Sequence, residues 1–298
     1  MVTPSLHTRV GEWVNIPAFL AIALWGSTFV IVKVTVRDHL SPLSLAAMRV
    51  ALSAAVLFVA LWAVEKDWKV DRKDLPLLAL LGFSGMALFQ IFFIEGLKRT
   101  TAGNSSVVAA TSSIFAVITV ALFRVEDLRW KTIAGIILAL SGVALVAQRE
   151  GLSLGTESGL LGDIFTLIAA MGWGVFVAVQ MPLFKRYSPL KIMTWASIFG
   201  SIFILPFTGS TLLAEDWGSL SLTGWGLAIY YVIVSGFAAT ILWSRGVRNW
   251  GPSKTSVYSY LNPVFGILSG VVLLGERLVA VQIAGVLAVF VGLALARK

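Results

Sequence analysis

The chain contains no cysteine, which excludes both a disulfide framework and a thiolate metal site. Histidine is nearly absent: His7 and His39 fall near the N-terminus and in a predicted connection. That leaves little for metal or acid–base chemistry, and no cofactor is expected. Charge is scarce too. Asp, Glu, Lys and Arg make up 13% of the 298 residues, about half the usual share of a soluble protein. A water-facing surface for a chain of this length needs more than that, and no soluble domain fits between the apolar runs.

What is present is apolar. Hydrophobic residues account for 58% of the chain and the mean hydropathy is +0.89, so the bilayer is its natural solvent. The formal net charge of +8 sits in short caps between apolar runs rather than on a solvated basic face. Anionic lipid headgroups, not nucleic acid, are therefore the expected partner of these cations. The first run, Ile16 to Val36, is too long for a signal-peptide core and no small-residue cleavage site follows it, so it is expected to remain as a span.

A helix needs about 20 apolar residues to cross roughly 30 Å of hydrocarbon. Runs of that kind predict an all-α integral membrane protein with ten spans, at 16–36, 43–64, 75–97, 102–123, 130–148, 159–181, 190–213, 222–246, 253–274 and 279–296. The boundary between the third and fourth rests mainly on Lys98 and Arg99. Counting Lys and Arg on alternating sides gives sixteen on the side of both termini and six on the other, with Arg49 inside a span. This asymmetry predicts cytoplasmic termini.

The chain also resembles itself. An offset of 150 residues aligns Gly96 with Gly246, Ser106 with Ser256, Phe115 with Phe265, Glu126 with Glu276, and Ile133-Ala134-Gly135 with Ile283-Ala284-Gly285. Trp25-Gly26 matches Trp173-Gly174 at 148, and Ser41-Pro42-Leu43 matches Ser188-Pro189-Leu190 at 147. Two repeats, 16–148 and 159–297, follow. Five spans is an odd number, so the second half must be inserted upside down relative to the first. Two inverted repeats are the architecture of many secondary transporters, because similar halves can exchange conformations and expose a central site to either face.

Polar and aromatic residues at depth are the candidates for that site. Trp25 and Trp173 occupy matching places in the first span of each half, each followed by a glycine that permits close approach; packing is the competing role. Gln90 is an amide in the middle of the third span and needs a partner, either solute or another helix. Tyr258, Tyr260 and Asn262, beside Pro263, combine ring faces, hydroxyls and a carbonyl freed by proline. Phe89 and Trp243 add aromatic surface. Arg49, Glu95 and Asp163 lie within about two turns of a span end and can snorkel to the interface, so proton coupling through Glu95 or Asp163 is not favoured. Gly266 and Gly270, and the pairs Gly135/Gly142 and Gly285/Gly292, are explained by close helix packing.

Several stretches together resemble the drug/metabolite transporter superfamily, specifically its ten-helix EamA-type exporters, which include YddG-like amino-acid exporters. They are Leu24-Trp25-Gly26-Ser27-Thr28-Phe29 with Lys33, Pro42 through Arg49, and Gly96 through Ser105 at the turn into the fourth span. In the second half they are Asn262-Pro263-Val264-Phe265 and Gly275-Glu276-Arg277-Leu278 with Gln282 and Gly285. A proline expected near Ser113 is missing, although Pro263 is present. The resemblance implies export of small amphipathic metabolites through a cavity between the halves of a protein in the bacterial inner membrane. Neutral or zwitterionic solutes such as hydrophobic or aromatic amino acids suit the aromatic content, and a monomer suffices.

Other classes fit less well. Gly151-Leu152-Ser153-Leu154-Gly155 spells the nucleophile-elbow pattern, but no histidine follows His39 to serve it, so no enzyme is expected. A passive channel or facilitator for small neutral solutes is the alternative reading, although rings of repeated polar residues or filter loops are not visible.

Overall fold

The structure is a computed structural model, and it describes residues 14–37, 40–100, 102–124, 127, 129–147, 159–265 and 280–297. Among these, all regular structure is helical. Helix α1 is Ile16–Arg37, α2 Pro42–Val64, α3 Arg72–Leu97, α4 Ala102–Ala110, α5 Ser112–Phe123 and α6 Trp130–Ala147. Then follow α7 Leu160–Leu183, α8 Pro189–Ala214, α9 Leu222–Trp250, α10 Pro252–Ser256 and α11 Ala280–Arg297. Five of these, α2, α3, α7, α8 and α9, are long and apolar enough to cross a membrane, and shorter apolar stretches lie in α1, α4–α5, α6 and α11. Large apolar side chains such as Trp62, Leu122, Phe207 and Leu287 stand exposed on the outside, where in a bilayer they meet lipid.

Short polar signals start the helices. Ser41 and Ser188 each place a hydroxyl oxygen over an otherwise orphaned amide, Ser44 N–H at 3.1 Å and Lys191 N–H at 3.0 Å, and each is followed by a proline at the first helical position. Ser221 does the same for α9 by accepting from Gly224 N–H at 2.9 Å. Between α9 and α10, Gly251 takes φ 82°, a conformation that a side chain resists, and Pro252 then opens the new helix.

Two long helices are locally underwound. Gly82–Leu88 in α3 and Tyr231–Ala238 in α9 are π-helical, so carbonyls there are released from the usual ladder. The expected fourth span also departs from one continuous helix: Thr111 interrupts it, its hydroxyl donating at 2.6 Å to Val108 O, which also accepts from Thr111 N–H at 3.1 Å. The expected ninth span is composite, α10 passing into a 3-10 turn at Val257–Tyr260 and then helical residues 261–265. The motif Gly275–Leu278, the Gly266/Gly270 pair, Glu126 with Glu276 and the Gly151–Gly155 stretch lie outside the described residues.

Helices meet where side chains are absent. α6 and α11 cross through Gly135 against Gly292 and Ala296, and through Gly142 against Gly285 and Val289. A Cβ at Gly26 would lie 2.3 Å from Phe265 Cβ, and one at Gly174 2.6 Å from Phe115 Cβ. Gly96 abuts Thr166 and Gly162, and Gly246 abuts Ala18 and Asn15. Antiparallel α2 and α8 are joined at both ends: Ser188 donates its hydroxyl to Glu65, and Ser41 N–H donates to Glu215 Oε1 at 3.1 Å. The first turn of α3 is tied to the connection before α8 by Asp74, which accepts from Arg186 and from the Tyr187 hydroxyl, both at 2.6 Å.

Candidate substrate site

Trp25 of α1, Phe89 of α3, Trp173 and Phe176 of α7, and Trp243 of α9 form one aromatic cluster. Trp173 is its hub, with ring centroids 5.4 Å from Trp25, 5.0 Å from Phe89, 5.0 Å from Phe176 and 5.9 Å from Trp243. Trp25 and Trp243 are 5.5 Å apart, so the three indoles touch mutually. Trp25, Phe89 and Trp173 are partly exposed, whereas Trp243 and Phe176 are buried. Tilted and edge-on rings at these distances are favourable, and their faces make a broad apolar surface. Glycines create the room: Gly85 lies against Phe176, Gly172 against Leu88, and Gly174 against the backbone of α5.

The cluster has polar handles. Trp25 Nε1–H donates to Ser235 O at 3.0 Å, a carbonyl in the π-helical part of α9 that also accepts from Thr240 at 3.2 Å. The indole N–H of Trp243 is buried and finds no acceptor among the described residues. The same π segment is approached closely by α2, with Ser53 Oγ donating to Val232 O at 3.2 Å and Arg49 Nη1 donating to Ser235 Oγ at 3.4 Å.

Of the residues expected from the sequence to line a site, Trp25, Phe89, Trp173 and Trp243 come together. Gln90 is buried at the end of the π segment of α3, and no hydrogen bond to it is found among the described residues. Tyr258 is placed elsewhere: its hydroxyl accepts from Asn15 N–H at 2.9 Å, and Asn15 also donates to Gly246 O and Thr255 Oγ1. It therefore ties the start of α1 to the 3-10 turn after α10, and its ring meets Trp250. Tyr260 is fully buried in the 3-10 turn, which packs on α1, α6 and α11. Asn262 keeps a buried Oδ1 without a donor among the described residues.

Of the three charged residues near span ends, Arg49 and Asp163 are buried, whereas Glu95 stays part-exposed. Arg49 is 6% exposed and turns inward, its stem lying beside Gly236 of α9, where an added Cβ would come within 3.3 Å of its Cγ. Asp163 is buried and accepts from the Thr100 hydroxyl at 2.7 Å. Glu95 is held by Lys98 at 2.7 Å and by Arg99. The features that sequence reasoning passed over are Ser53, Ser235 and Phe176, and it reads Arg49 only as a residue able to snorkel. A signal existed for one of them: Ser84-Gly85 and Ser235-Gly236 mark the two π segments.

Comparison with known proteins gives the family. The family model described as the EamA-like transporter family matches residues 13–148 and again 160–297, and the chain belongs to that family of multi-pass membrane transporters. A protein called a probable amino-acid metabolite efflux pump, from Salmonella typhimurium (strain LT2), is 32% identical over 291 residues, covering 93% of this chain and 92% of that protein. A probable terminal-alkyne amino-acid exporter from Streptantibioticus cattleyicolor is 27% identical over 86% of this chain and 84% of that one. The uncharacterized transporter YetK of Bacillus subtilis is 27% identical over 96% and 86%. A crystal structure of a protein superposes with a TM-score of 0.80 over 95% of this chain and 97% of that one, at 19% identity; this likeness bears on the fold alone.

Proposed function

We propose that this transporter exports small amphipathic metabolites, foremost hydrophobic or aromatic amino acids, by alternating access between two inverted five-helix halves, 16–148 and 159–297. The contact between Trp25 and Trp173 carries the reading. Each indole comes from the first span of one half, at the matching position, and together they present ring faces suited to an apolar side chain. Two relatives with amino-acid exporter or efflux names support the same substrate class.

The duplication is supported by contacts that recur. Gly26 on Phe265 corresponds to Gly174 on Phe115, and Gly246 on Asn15 and Ala18 corresponds to Gly96 on Gly162 and Thr166. Gly135 with Gly292 and Gly142 with Gly285 are the same pair read in both directions. The latch of Glu65 on Ser188 has its counterpart in Glu215 on Ser41, and each half carries a π segment in its third span. Halves that reuse one set of contacts can exchange conformations at similar energy, which alternating access requires. We place this ten-span protein in the bacterial inner membrane with both termini cytoplasmic, on the excess of Lys and Arg on that side.

Counterflow of radiolabelled phenylalanine in proteoliposomes tests the mechanism. A carrier shows trans-stimulated, saturable exchange; linear, unstimulated flux would make the protein a passive facilitator. Cysteine labelling of the two termini from opposite sides of the membrane tests the topology, and ends found on different sides would overturn the inverted ten-span arrangement.

A further inference from the structure

Arg49 is a cation that meets no anion among the described residues. It lies about two turns into α2 and is 6% exposed. An ionised side chain so placed is costly unless it is paired. Among the described residues no carboxylate pairs with it. It has a 3.4 Å hydrogen bond to Ser235 Oγ and the Tyr231 ring at 5.7 Å, and its Nε–H has no partner among the described residues. A guanidinium carries five N–H donors in a planar fork, and one hydroxyl leaves most of them unused.

The fold does not itself demand this charge. At the matching place in the second half, 147 residues on, stands Ala196, which meets α3 through its backbone carbonyl beside Gly82. One half thus makes the helix crossing with an alanine, and the other puts an arginine there. Arg49 also reaches the aromatic cluster through a shared residue: Ser235 accepts from Arg49 on its hydroxyl and from Trp25 Nε1 on its carbonyl. The cation and the N–H edge of Trp25 therefore adjoin one residue, and the buried Trp243 N–H adds a second donor unmatched among the described residues.

We infer that Arg49 is the anion-binding residue of this site and takes the carboxylate of an amphipathic organic acid, the α-carboxylate where the solute is an amino acid. The inference rests on the aromatic cluster being the substrate site. A planar carboxylate matches the guanidinium fork with two parallel N–H···O bonds, while the apolar remainder of the solute lies on Trp25, Trp173 and Phe89.

The test is calorimetric titration of the full-length protein in nanodiscs with two pairs of probes, 3-phenylpropionate against 3-phenylpropanol and phenylalanine against phenylalaninol. Wild-type protein is expected to prefer each acid over its alcohol by about 10-fold or more. Arg49→Gln should weaken the acids by about 10- to 100-fold and leave the alcohols within about 2-fold, and Arg49→Lys should restore part of the loss. Equal losses for acid and alcohol in Arg49→Gln would reduce Arg49 to a packing residue and overturn the inference. If that variant does not fold, wild-type indifference between acid and alcohol overturns it as well. Arg49-dependent binding of phenylpropionate without binding of phenylalanine would uphold the anion site and reject the amino-acid reading.

Discussion

The indole of Trp25 meets that of Trp173 edge-on, with centroids 5.4 Å apart and planes at 74°. Residues 148 positions apart in the chain thus share one surface, and Trp173 is the ring through which Trp25, Phe89, Phe176 and Trp243 are joined. Replacing Trp173 by Ala removes four ring contacts, each worth about 0.5–1.5 kcal/mol beyond the area buried. The expected result is an increase in KM for phenylalanine counterflow of about 10-fold or more. Trp25→Phe keeps a ring but loses the hydrogen bond to Ser235 O, worth about 1 kcal/mol, and should raise KM by about 5-fold. Unchanged KM in both variants would remove the cluster from the transport path.

Gly174 predicts a stability effect of known sign. Alanine there would bring a methyl group within 2.7 Å of Ala116 N and of the Phe115 backbone, and backbone cannot swing aside. A loss of about 1–3 kcal/mol is expected, read as a lower melting temperature in detergent. Gly209 in α8 is the control, because nothing lies within 4 Å of a Cβ built on it. Gly209→Ala should stabilise by about 0.5–1 kcal/mol through helix propensity.

Much of this fold was legible because lipid imposes a simple rule: apolar runs of spanning length, bounded by caps. Ser41-Pro42 and Ser188-Pro189 mark two helix starts to within a residue, and both prove to be side-chain caps. The Trp-Gly pairs led to the aromatic cluster, since a glycine beside a large ring is a packing signature that survives in sequence. Other features left weaker traces. A π segment changes which amide meets which carbonyl without disturbing the apolar pattern, so Tyr231–Ala238 reads as ordinary helix. Tyr258 reads as a solute ligand until Asn15, 243 residues away, turns out to donate to its hydroxyl. Arg49 sits near a helix end by number, and only its burial beside Gly236 reveals that it turns inward.

Acid should loosen the clasp between α2 and α8. Burial pushes the Glu215 carboxyl up, but hydrogen bonds from Ser44 and Ser41 outweigh it and hold the group below its ordinary 4.5. A carboxyl whose folded pKa is lowered contributes stability that is present above the unfolded value and lost as pH falls through the folded one. Asp67, held low by its hydrogen bond from Lys191 Nζ at 2.7 Å, acts in the same direction. Melting temperature should therefore fall below about pH 4.5, and Glu215→Gln should flatten that fall. Its share is on the order of 0.5 kcal/mol, because the group is partly solvated. An unaltered acid limb in Glu215→Gln would mean that the Ser41 contact contributes nothing to stability.

The crossing of α2 and α9 can be tested by moving a single carbon across it. A Cβ at Gly236 would lie 1.7 Å from Ser53 Oγ and 2.8 Å from Ser53 Cβ, but 3.3 Å from Arg49 Cγ, so Ser53 is the obstacle and Arg49 the tolerable neighbour. Gly236→Ala should therefore destabilise by about 1–3 kcal/mol, whereas Gly226→Ala in the same helix, with nothing within 4 Å, should not. Ser53→Gly alone loses the hydrogen bond to Val232 O and adds a glycine to α2, for about 1–2 kcal/mol. In the double variant the carbon removed from one helix makes room for the one added to the other. The two losses should then fall short of additivity by about 1–2 kcal/mol in a thermal-unfolding cycle. Strict additivity would mean that α2 and α9 part in Gly236→Ala, or never met closely. Arg49 would in that case lose the close approach of Gly236 to its stem.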